Sequence, residues 1–170
     1  MRFNYSIIFI LLLLFGSGCD QSDDLTGIFT GKTWKLTEIR YANGDLCKDY
    51  WTSSGIFNQE AYKTSYQQKA IKDNFTLTFE GVEAGKKADG KYQGQATDAI
   101  LSGYWSADGV HRTFKTSRQY IGGTEKDVLG KAFIKAIANA ESYVGDYNNL
   151  YIYFKEGQVK KYFLMHVVKE

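Results

Sequence analysis

Along several short stretches of the chain, apolar and polar residues alternate one by one. This period-two pattern is typical of β-strands with one buried face. It is clearest in residues 33–39, where Trp34 and Leu36 share one side, and in residues 74–80. Turn signals between these stretches predict a meander of three to four antiparallel strands, followed by a closing hairpin. The other predicted strands are residues 91–94, 101–106, 110–116 and the two arms of the hairpin in 149–168.

A helical period of apolar residues is clear in one place, residues 124–145. Leu129, Phe133 and Ile137 recur there at the spacing of one helix face, and a glycine ends the segment. Residues 59–73 are polar and only weakly helical. The hairpin carries apolar residues on both faces, so it is expected in the centre of the sheet with the helix against one face. The predicted fold class is α+β, an antiparallel, partly closed β-sheet with one long helix packed against it.

The N-terminal segment has the features of an export signal. Residues 7–15 are all apolar. The basic residue Arg2 precedes them, and Gly-Ser-Gly follows them. This run is too short for a membrane-spanning helix, which needs about 20 residues. Cys19 stands directly after the small residues, which predicts cleavage before Cys19 and lipid attachment to its thiol. The alternative is an ordinary signal peptide with an incidental cysteine.

Residues 20–24 are acidic and polar, and they predict a flexible tether after the lipid. They also resemble the acidic export signals of Bacteroidota surface lipoproteins; the alternative is a solvated linker on a periplasmic protein. The expected location is therefore the outer membrane, on the cell surface or the periplasmic face. The predicted organisation is a signal peptide in residues 1–18, a lipidated tether in 19–28 and a single β-rich domain in 29–170.

Composition and charge bear on the possible partners, on the secondary structure and on the state of Cys47. Removal of the signal peptide takes away Arg2 and leaves 20 basic and 19 acidic side chains, so no nucleic-acid partner is expected. Thirteen tyrosines, eleven phenylalanines and no proline favour β-structure. Residues 41–56 are rich in Asn, Gly, Asp and Ser and are expected to form a long loop. Cys47 in this loop has no second cysteine to pair with once Cys19 is lipidated, so it is either buried or reactive, and burial is expected.

The order of these elements resembles the META domain, the fold of heat-shock protein HslJ, in the variant found in small Bacteroides-type lipoproteins. The resemblance implies an envelope protein linked to stress, with no established catalytic site. The family's Gly-Cys-Asn signature is missing, and the loop with Cys47 is an addition. The matching segments are Trp34-Lys35-Leu36, residues 75–79 and 90–94, Gly103-Tyr104-Trp105, residues 133–137, Tyr143 and residues 149–152.

Residues for catalysis or metal binding are sparse. The chain has two histidines, His111 and His166, both on predicted strands and far in sequence from Cys47. No Gly-x-Ser-x-Gly elbow, Cys-x-x-Cys or His-x-x-x-His spacing occurs. No enzymatic activity, cofactor or metal is therefore expected. A hydrolase is the least favoured hypothesis, after the two non-enzymatic ones that follow.

Aromatic residues are the candidates for ligand binding. If several were exposed together they could stack on sugar rings; if they are buried they are ordinary packing. The first hypothesis is thus a non-enzymatic binding lipoprotein for a glycan, a small ligand or another envelope protein, and the second is a structural or stress factor of the META type. Tyr151 and Tyr153 share the strand face opposite Leu150, Ile152 and Phe154. The candidate ligand-binding residues are Tyr50, Trp51, Tyr104, Trp105 and Tyr120.

Overall fold

The computed structural model describes residues 22–168, so Cys19 and the segment before it lie outside the described residues. None of the helices in 22–168 has the length and apolar character needed to cross a membrane. In chain order the elements are α1 (Leu25–Phe29), β1 (Thr33–Tyr41), a 3-10 turn (Asp49–Trp51), β2 (Thr52–Ser53), β3 (Ile56–Phe57), α2 (Gln59–Ala70), β4 (Thr76–Ala84), β5 (Lys87–Gln95), β6 (Ile100–Asp108), β7 (Thr113–Gly122), α3 (Val128–Ala138), β8 (Ala140–Gly145), β9 (Asn149–Glu156) and β10 (Val159–Val167).

Eight of these strands form one closed antiparallel barrel in the order β1-β10-β9-β8-β7-β6-β5-β4. Each barrel strand pairs with the next along the chain and the last pairs with the first, which is an up-and-down barrel. The expected α+β fold with one long helix is therefore wrong. The apolar helical period ends at Ala138, and the residues after it form β8, in which Tyr143 pairs with Ile152 of β9. The closing hairpin turns one side to the barrel interior, where Phe163 packs against Phe133 of α3 with ring centroids 5.3 Å apart.

Two seams of the barrel have few strand-to-strand pairs. β1 pairs with β4 only over residues 33–35 and 76–78, and β7 pairs with β8 only at Thr113 and Ser142. Beside the second seam, β7 is also bonded to α3. The Thr116 hydroxyl donates to the Ile137 carbonyl at 2.7 Å, and the Gln119 amide donates to the Ile134 carbonyl at 3.3 Å. These two bonds fasten the C-terminal half of α3 to β7.

One end of the barrel, the α1 end, is closed by α1. Phe29 of this helix is fully buried among the rings of Phe79, Trp105, Phe114 and Tyr143, with centroid distances of 5.0 to 5.4 Å. The chain before α1 is also fixed at this end. The Asp23 carboxylate accepts from the Tyr143 hydroxyl at 2.9 Å and pairs with Arg112 at 3.2 Å.

Asp24 caps α1 by accepting from the Gly27 N–H at 2.8 Å, and it accepts from the Tyr147 hydroxyl at 2.6 Å. The prediction that Asp23 and Asp24 belong to a flexible tether is therefore wrong. A carboxylate can be fixed in a fold without being buried, by capping a helix or by pairing with a basic side chain. The hydropathy of the segment does not reveal such contacts.

The opposite end, the helix end, is closed by α2, α3 and the 3-10 turn. Phe133 of α3 is fully buried against Phe163 at 5.3 Å and Phe75 at 5.8 Å. An eight-stranded barrel has an interior that side chains can just fill or that can hold one small ligand. Here it is filled, and a residual cavity beside Cys47 has a volume of about 10 Å³, too small for a ligand. Binding by this domain must therefore use its outer surface.

Candidate functional site

The five aromatic residues predicted to bind a ligand are not brought together. Trp51 and Trp105 are 4% and 2% exposed and belong to the core. Their indole N–H groups donate inside the domain, to the Ser65 hydroxyl and to the Glu80 carbonyl, both at 3.0 Å. These two tryptophans therefore contribute to packing.

The three tyrosines of the predicted set lie in two separate places. Tyr50 lies in the 3-10 turn at the helix end and donates to the Glu156 carboxylate at 2.8 Å. Tyr104 and Tyr120 lie on the outer face of β6 and β7, where they are 45% and 65% exposed. The Arg118 guanidinium lies 5.7 Å from the Tyr104 ring centroid. Only Tyr104 and Tyr120 thus remain on a shared surface.

A buried ion network holds Tyr50 in place. Lys161 is 2% exposed, and its ammonium lies 2.7 Å from the Asp49 carboxylate and 2.8 Å from the Glu156 carboxylate. The same ammonium lies 4.2 Å from the Tyr50 ring centroid. The network joins the 3-10 turn to the β9–β10 hairpin, and so it fastens the long loop onto the barrel.

The pKa values of this network follow from burial and pairing. Burial disfavours the charged form of Lys161, but its hydrogen bonds to Asp49 and Glu156 outweigh burial and raise its pKa above the ordinary value. Burial would raise the pKa of Glu156, but the hydrogen bonds from Lys161 and Tyr50 hold it below the ordinary value. Burial, and then the bond to Glu156, raises the pKa of Tyr50. The network is therefore a charged lysine held between two carboxylates, with a neutral phenol beside it.

Cys47 lies close to this network and is 2% exposed, as expected. Burial is the main reason that the pKa of its thiol rises to about 12. Since the thiolate is the reactive form of cysteine, this environment suppresses nucleophilic chemistry. The histidines have other partners: His111 lies 3.2 Å from Asp108, and the Nδ1 of His166 lies 2.5 Å from the Thr37 hydroxyl.

Metal binding has no visible basis in residues 22–168, where no three His, Cys, Asp or Glu side chains are grouped so that they could hold an ion.

The outer side of the β9–β10 hairpin carries a second set of aromatic residues, which we call the tyrosine face and define as Tyr151, Tyr153 and Tyr162. Tyr153 and Tyr162 are directly opposite each other across the two strands, with ring centroids 5.3 Å apart. The Tyr151 and Tyr162 rings are 5.8 Å apart. All three side chains are partly exposed, so the three rings form one continuous aromatic surface.

Strand geometry explains this surface. Successive side chains of a strand point to opposite faces. Leu150, Ile152 and Phe154 alternate with the tyrosines of β9 and are fully buried in the barrel, so the tyrosines must point outward. The sequence pattern placed Tyr151 and Tyr153 together but did not single out Tyr162. The alternation of Tyr162 with the buried Lys161 and Phe163 is the signal that could have found it.

Apolar and charged side chains border the tyrosine face. Val144 is opposite Tyr151 on β8 and is 43% exposed, and Leu164 is opposite Tyr151 on β10. The Lys160 ammonium lies 5.0 Å from the Tyr153 ring centroid. Two ion pairs lie beside the face, Lys155 of β9 with Glu141 of β8 at 3.2 Å and Arg40 with Glu38, both of β1, at 2.6 Å. An apolar centre is thus surrounded by groups that donate and accept hydrogen bonds.

Comparison with known proteins adds a family and a fold. A family model described as "Domain of unknown function (DUF4847)" matches residues 20–167. The structure is similar to the crystal structure, at 1.00 Å resolution, of a DUF4847 family protein from Bacteroides vulgatus ATCC 8482. The two share 23% sequence identity, the match covers 85% of this chain and 98% of the other, and the TM-score is 0.59. No curated protein matches the chain.

These matches overturn the resemblance to META domains, because the matched family is a different one. Each element that carried the resemblance is a common one, and a Trp-x-Leu strand, a Gly-rich hairpin and a helix before a final hairpin fit more than one β-rich fold. At 23% identity the solved structure supports the fold alone.

Proposed function

The chain belongs to the DUF4847 family, and from this premise we propose that it is a non-enzymatic envelope lipoprotein that binds glycan chains on its tyrosine face. The observation that carries the proposal is the contact of Tyr151, Tyr153 and Tyr162 on the outside of a closed barrel. The barrel interior is filled, so the proposed site is external.

Stacking is the physical basis of the proposed recognition. The C–H groups on one face of a sugar ring are weakly positive and apolar, and the face of an aromatic ring is negative. A tyrosine adds large contact area at a low entropic cost because it has few rotatable bonds. Three rings held by two paired strands are already in place before the ligand arrives, which lowers the cost of binding further.

The border of the tyrosine face can accommodate a neutral glycan, since its two ion pairs are compensated and its other charge, the Lys160 ammonium, lies against the Tyr153 ring. Lys155 is paired with Glu141 and Arg40 with Glu38, so neither pair offers an uncompensated charge. Sugar hydroxyls both donate and accept hydrogen bonds, and the tyrosine hydroxyls do the same. A neutral chain can therefore stack on the rings and bond at the edges without displacing an ion pair.

The membrane attachment is part of the proposal. Cys19 would carry the lipid, and Asp23, whose carboxylate accepts from the Tyr143 hydroxyl, comes four residues later in the chain. A chain of this length spans at most about 14 Å. Lipidation would thus hold the α1 end near an outer-membrane surface and leave the tyrosine face on the side of the barrel, open to glycans on either side of that membrane.

Binding is tested with the mature chain carrying Cys19→Ser, which removes the lipid. Neutral polysaccharides and oligosaccharide arrays provide the probes. Calorimetry then measures the affinity of the protein for each glycan that it binds. Tyr153→Ala and Tyr162→Ala should each weaken binding about tenfold, since a central aromatic contact contributes more than 1 kcal/mol. Tyr162→Phe, which keeps the ring, should bind within about twofold of the parent protein.

The matched controls are Tyr104→Ala and Tyr120→Ala, which remove exposed tyrosines from β6 and β7. They should leave the affinity unchanged. An equal loss in these controls, or retention of no glycan at all by the parent protein, would show the proposal to be wrong.

The lipid attachment is tested separately in cells. Metabolic labelling with a palmitate analogue should label the parent protein and not the Cys19→Ser variant. Protease shaving of intact cells then distinguishes the two faces of the membrane, since a chain on the cell surface is digested and a periplasmic chain is protected.

A further inference from the structure

A pocket of about 400 Å³ lies on the outer side of the barrel, at the end of β10. Its volume falls within the range of about 300–1,000 Å³ that is typical of small-ligand sites. It is separate from the tyrosine face, because His166 in its wall follows Tyr162 by four residues on the same side of β10, a distance of about 13 Å. Its described lining residues include no acid and are Lys35, Lys72, His166, Val167 and Val168.

Strand pairing and one turn bring the basic side chains of this pocket together. Lys35 of β1 is directly opposite His166 of β10. Trp34 and Leu36 on either side of Lys35 are buried in the barrel, so Lys35 points to the outer face. The turn after α2 passes over Lys35 and places Lys72 beside it. Three chain segments thus contribute the two lysines and the histidine.

The Lys35 side chain is fixed and largely buried. It is 9% exposed, and its ammonium donates to the backbone carbonyls of Ile71, at 2.6 Å, and Asn74. An ammonium has three N–H groups, and the third has no hydrogen-bond acceptor among residues 22–168. One donor of a cation held in the pocket wall is therefore unused.

The buried Lys161 shows what Lys35 lacks. Lys161 lies between the carboxylates of Asp49 and Glu156, at 2.7 and 2.8 Å. Neither Lys35 nor Lys72 forms an ion pair with any residue in the described part of the chain. Lysines are almost never buried to this degree without a partner of opposite charge, since the loss of hydration is costly. The pocket therefore holds a buried cation without a counter-ion.

The histidine of the pocket is oriented by a neighbouring strand residue. The Nδ1 atom of His166 lies 2.5 Å from the Thr37 hydroxyl. The Nε2 atom forms no hydrogen bond with the rest of residues 22–168. Since one ring nitrogen is held by the protein, the other can act toward a ligand.

The charges around Lys35 are mostly positive. The titratable groups that face it are Lys69, Lys72, Asp73 and His166. Burial, and then the charge of Lys69, lower the pKa of Lys35 to about 8, and Asp73 opposes them only in part. A negative charge placed in the pocket would therefore be stabilised, and it would in turn favour the charged form of Lys35.

From the buried ammonium without a counter-ion we infer that this pocket binds an oxyanion, the phosphate or carboxylate group of a small molecule. One oxygen accepts from the third N–H of Lys35, and Lys72 and His166 reach the other oxygens. The side chains of Val167 and Val168 offer an apolar wall to the rest of the ligand. The inference is independent of glycan binding on the tyrosine face.

The test is an NMR titration of the mature chain carrying Cys19→Ser at constant ionic strength. The probes are glycerol 3-phosphate and glycerate, with glycerol as the uncharged control. Both anions should bind saturably, and the tighter one identifies the group that the site prefers. At saturation the pKa of Lys35, followed by its side-chain signals, should rise from about 8 toward 10.5. Glycerol should cause no change at Lys35 or His166.

The pH dependence gives a second measurement. Glycerate stays ionised between pH 7 and pH 9.5, whereas Lys35 loses its proton as the pH rises through about 8. The affinity for glycerate should therefore be highest at the lower end of this range and fall toward the upper end. A flat profile would contradict a contact between the anion and Lys35.

Variants locate the site. Lys72→Gln removes an exposed cation and should raise the dissociation constant about fivefold, the effect of one partly exposed ion pair. Lys35→Met should raise it at least about tenfold, and circular dichroism checks that this variant folds. The matched control is Lys63→Gln, which removes an exposed lysine of α2 outside the pocket and should change nothing. Tyr153→Ala should also titrate like the parent protein.

Three results would overturn the inference. They are the absence of saturable binding at millimolar anion, an unchanged pKa of Lys35 in the presence of either anion, and equal effects of Lys72→Gln and Lys63→Gln. Each of these would show that Lys35 serves only to hold the end of α2 against β1. None of the three depends on the folding of Lys35→Met.

Discussion

The two ends of the barrel are closed by different means. At the α1 end, the buried contacts of Phe29 are with four aromatic rings, while Asp23 and Asp24 fasten the chain at the rim by accepting from tyrosine hydroxyls. At the helix end, the apolar face of α3 is joined by polar connections. These are the Lys161 network, the bonds of Glu125 to three backbone N–H groups and the chain from Trp51 through Ser65 to Asp127.

The apolar contacts and the polar connections have different roles: the first stabilise the folded barrel, and the second fix the positions of loops and helix ends. Apolar burial is non-directional and contributes directly to the free energy of folding. A buried ion pair must first overcome the cost of taking its charges out of water, so it adds little net stability. Its hydrogen bonds are directional, however, and they fix where loops and helix ends lie. The α1 end therefore serves mainly to stabilise the barrel, and the helix end mainly to shape a surface.

The largest expected effect is at the α1 end. Phe29→Ala should lower the free energy of unfolding by about 3–5 kcal/mol, because it removes a fully buried ring and leaves a cavity in the core. Urea denaturation followed by tryptophan fluorescence measures the change. Phe57→Ala, at a residue 37% exposed, is the control and should cost less than about 1 kcal/mol. A loss below that value for Phe29→Ala would contradict the role of α1 as a plug.

A smaller effect is expected at the helix end. Lys161→Met should lower the free energy of unfolding by about 2 kcal/mol, because Glu156 loses its nearest cation and keeps only the exposed Lys135 at 3.3 Å, while Asp49 can still reach water. Adding Glu156→Gln removes that charge and should restore at least half of the loss. A double variant as unstable as the single one would show that the network stabilises by more than charge compensation.

The most local effect concerns Cys47, whose modification reports whether the helix end opens without unfolding of the whole domain. The thiol pKa rises from 9.0 to about 12, so the thiolate fraction at pH 8 is about a thousandfold lower than in the unfolded chain. Alkylation of the native protein should be slower by at least that factor. Lys161→Met should accelerate it and Phe57→Ala should not. Equal rates in native and denatured protein would contradict the burial of Cys47.

Local patterns predicted much of the secondary structure. Period-two alternation located β1, β4 and β6 to within a few residues, and the turn at 156–158 separates β9 from β10 as expected. The weakly helical segment 59–73 contains α2. Alternation and turn signals are properties of adjacent residues, so they survive without knowledge of the fold.

Predictions that depended on distant contacts failed. The helix was predicted to reach Gly145, but Tyr143 is drawn into the barrel by pairing with Ile152, and this strand pairing ends the helix early. Trp51 and Trp105 were proposed to bind a ligand and are instead in the core. An aromatic residue in a loop or on a strand has the same local signature whether it faces the core or the solvent.

The sequence by itself thus determined the β-rich character of the chain, the positions of β1, β4, β6 and the closing hairpin, and the burial of Cys47, because these depend on composition and on the spacing of neighbouring residues. Only the tertiary structure decided that the sheet closes, that Asp23 and Asp24 belong to the domain, and that Tyr151, Tyr153 and Tyr162 meet on one face. Closure and side-chain contact depend on which strands lie next to each other, and that is settled by packing between residues far apart in the chain.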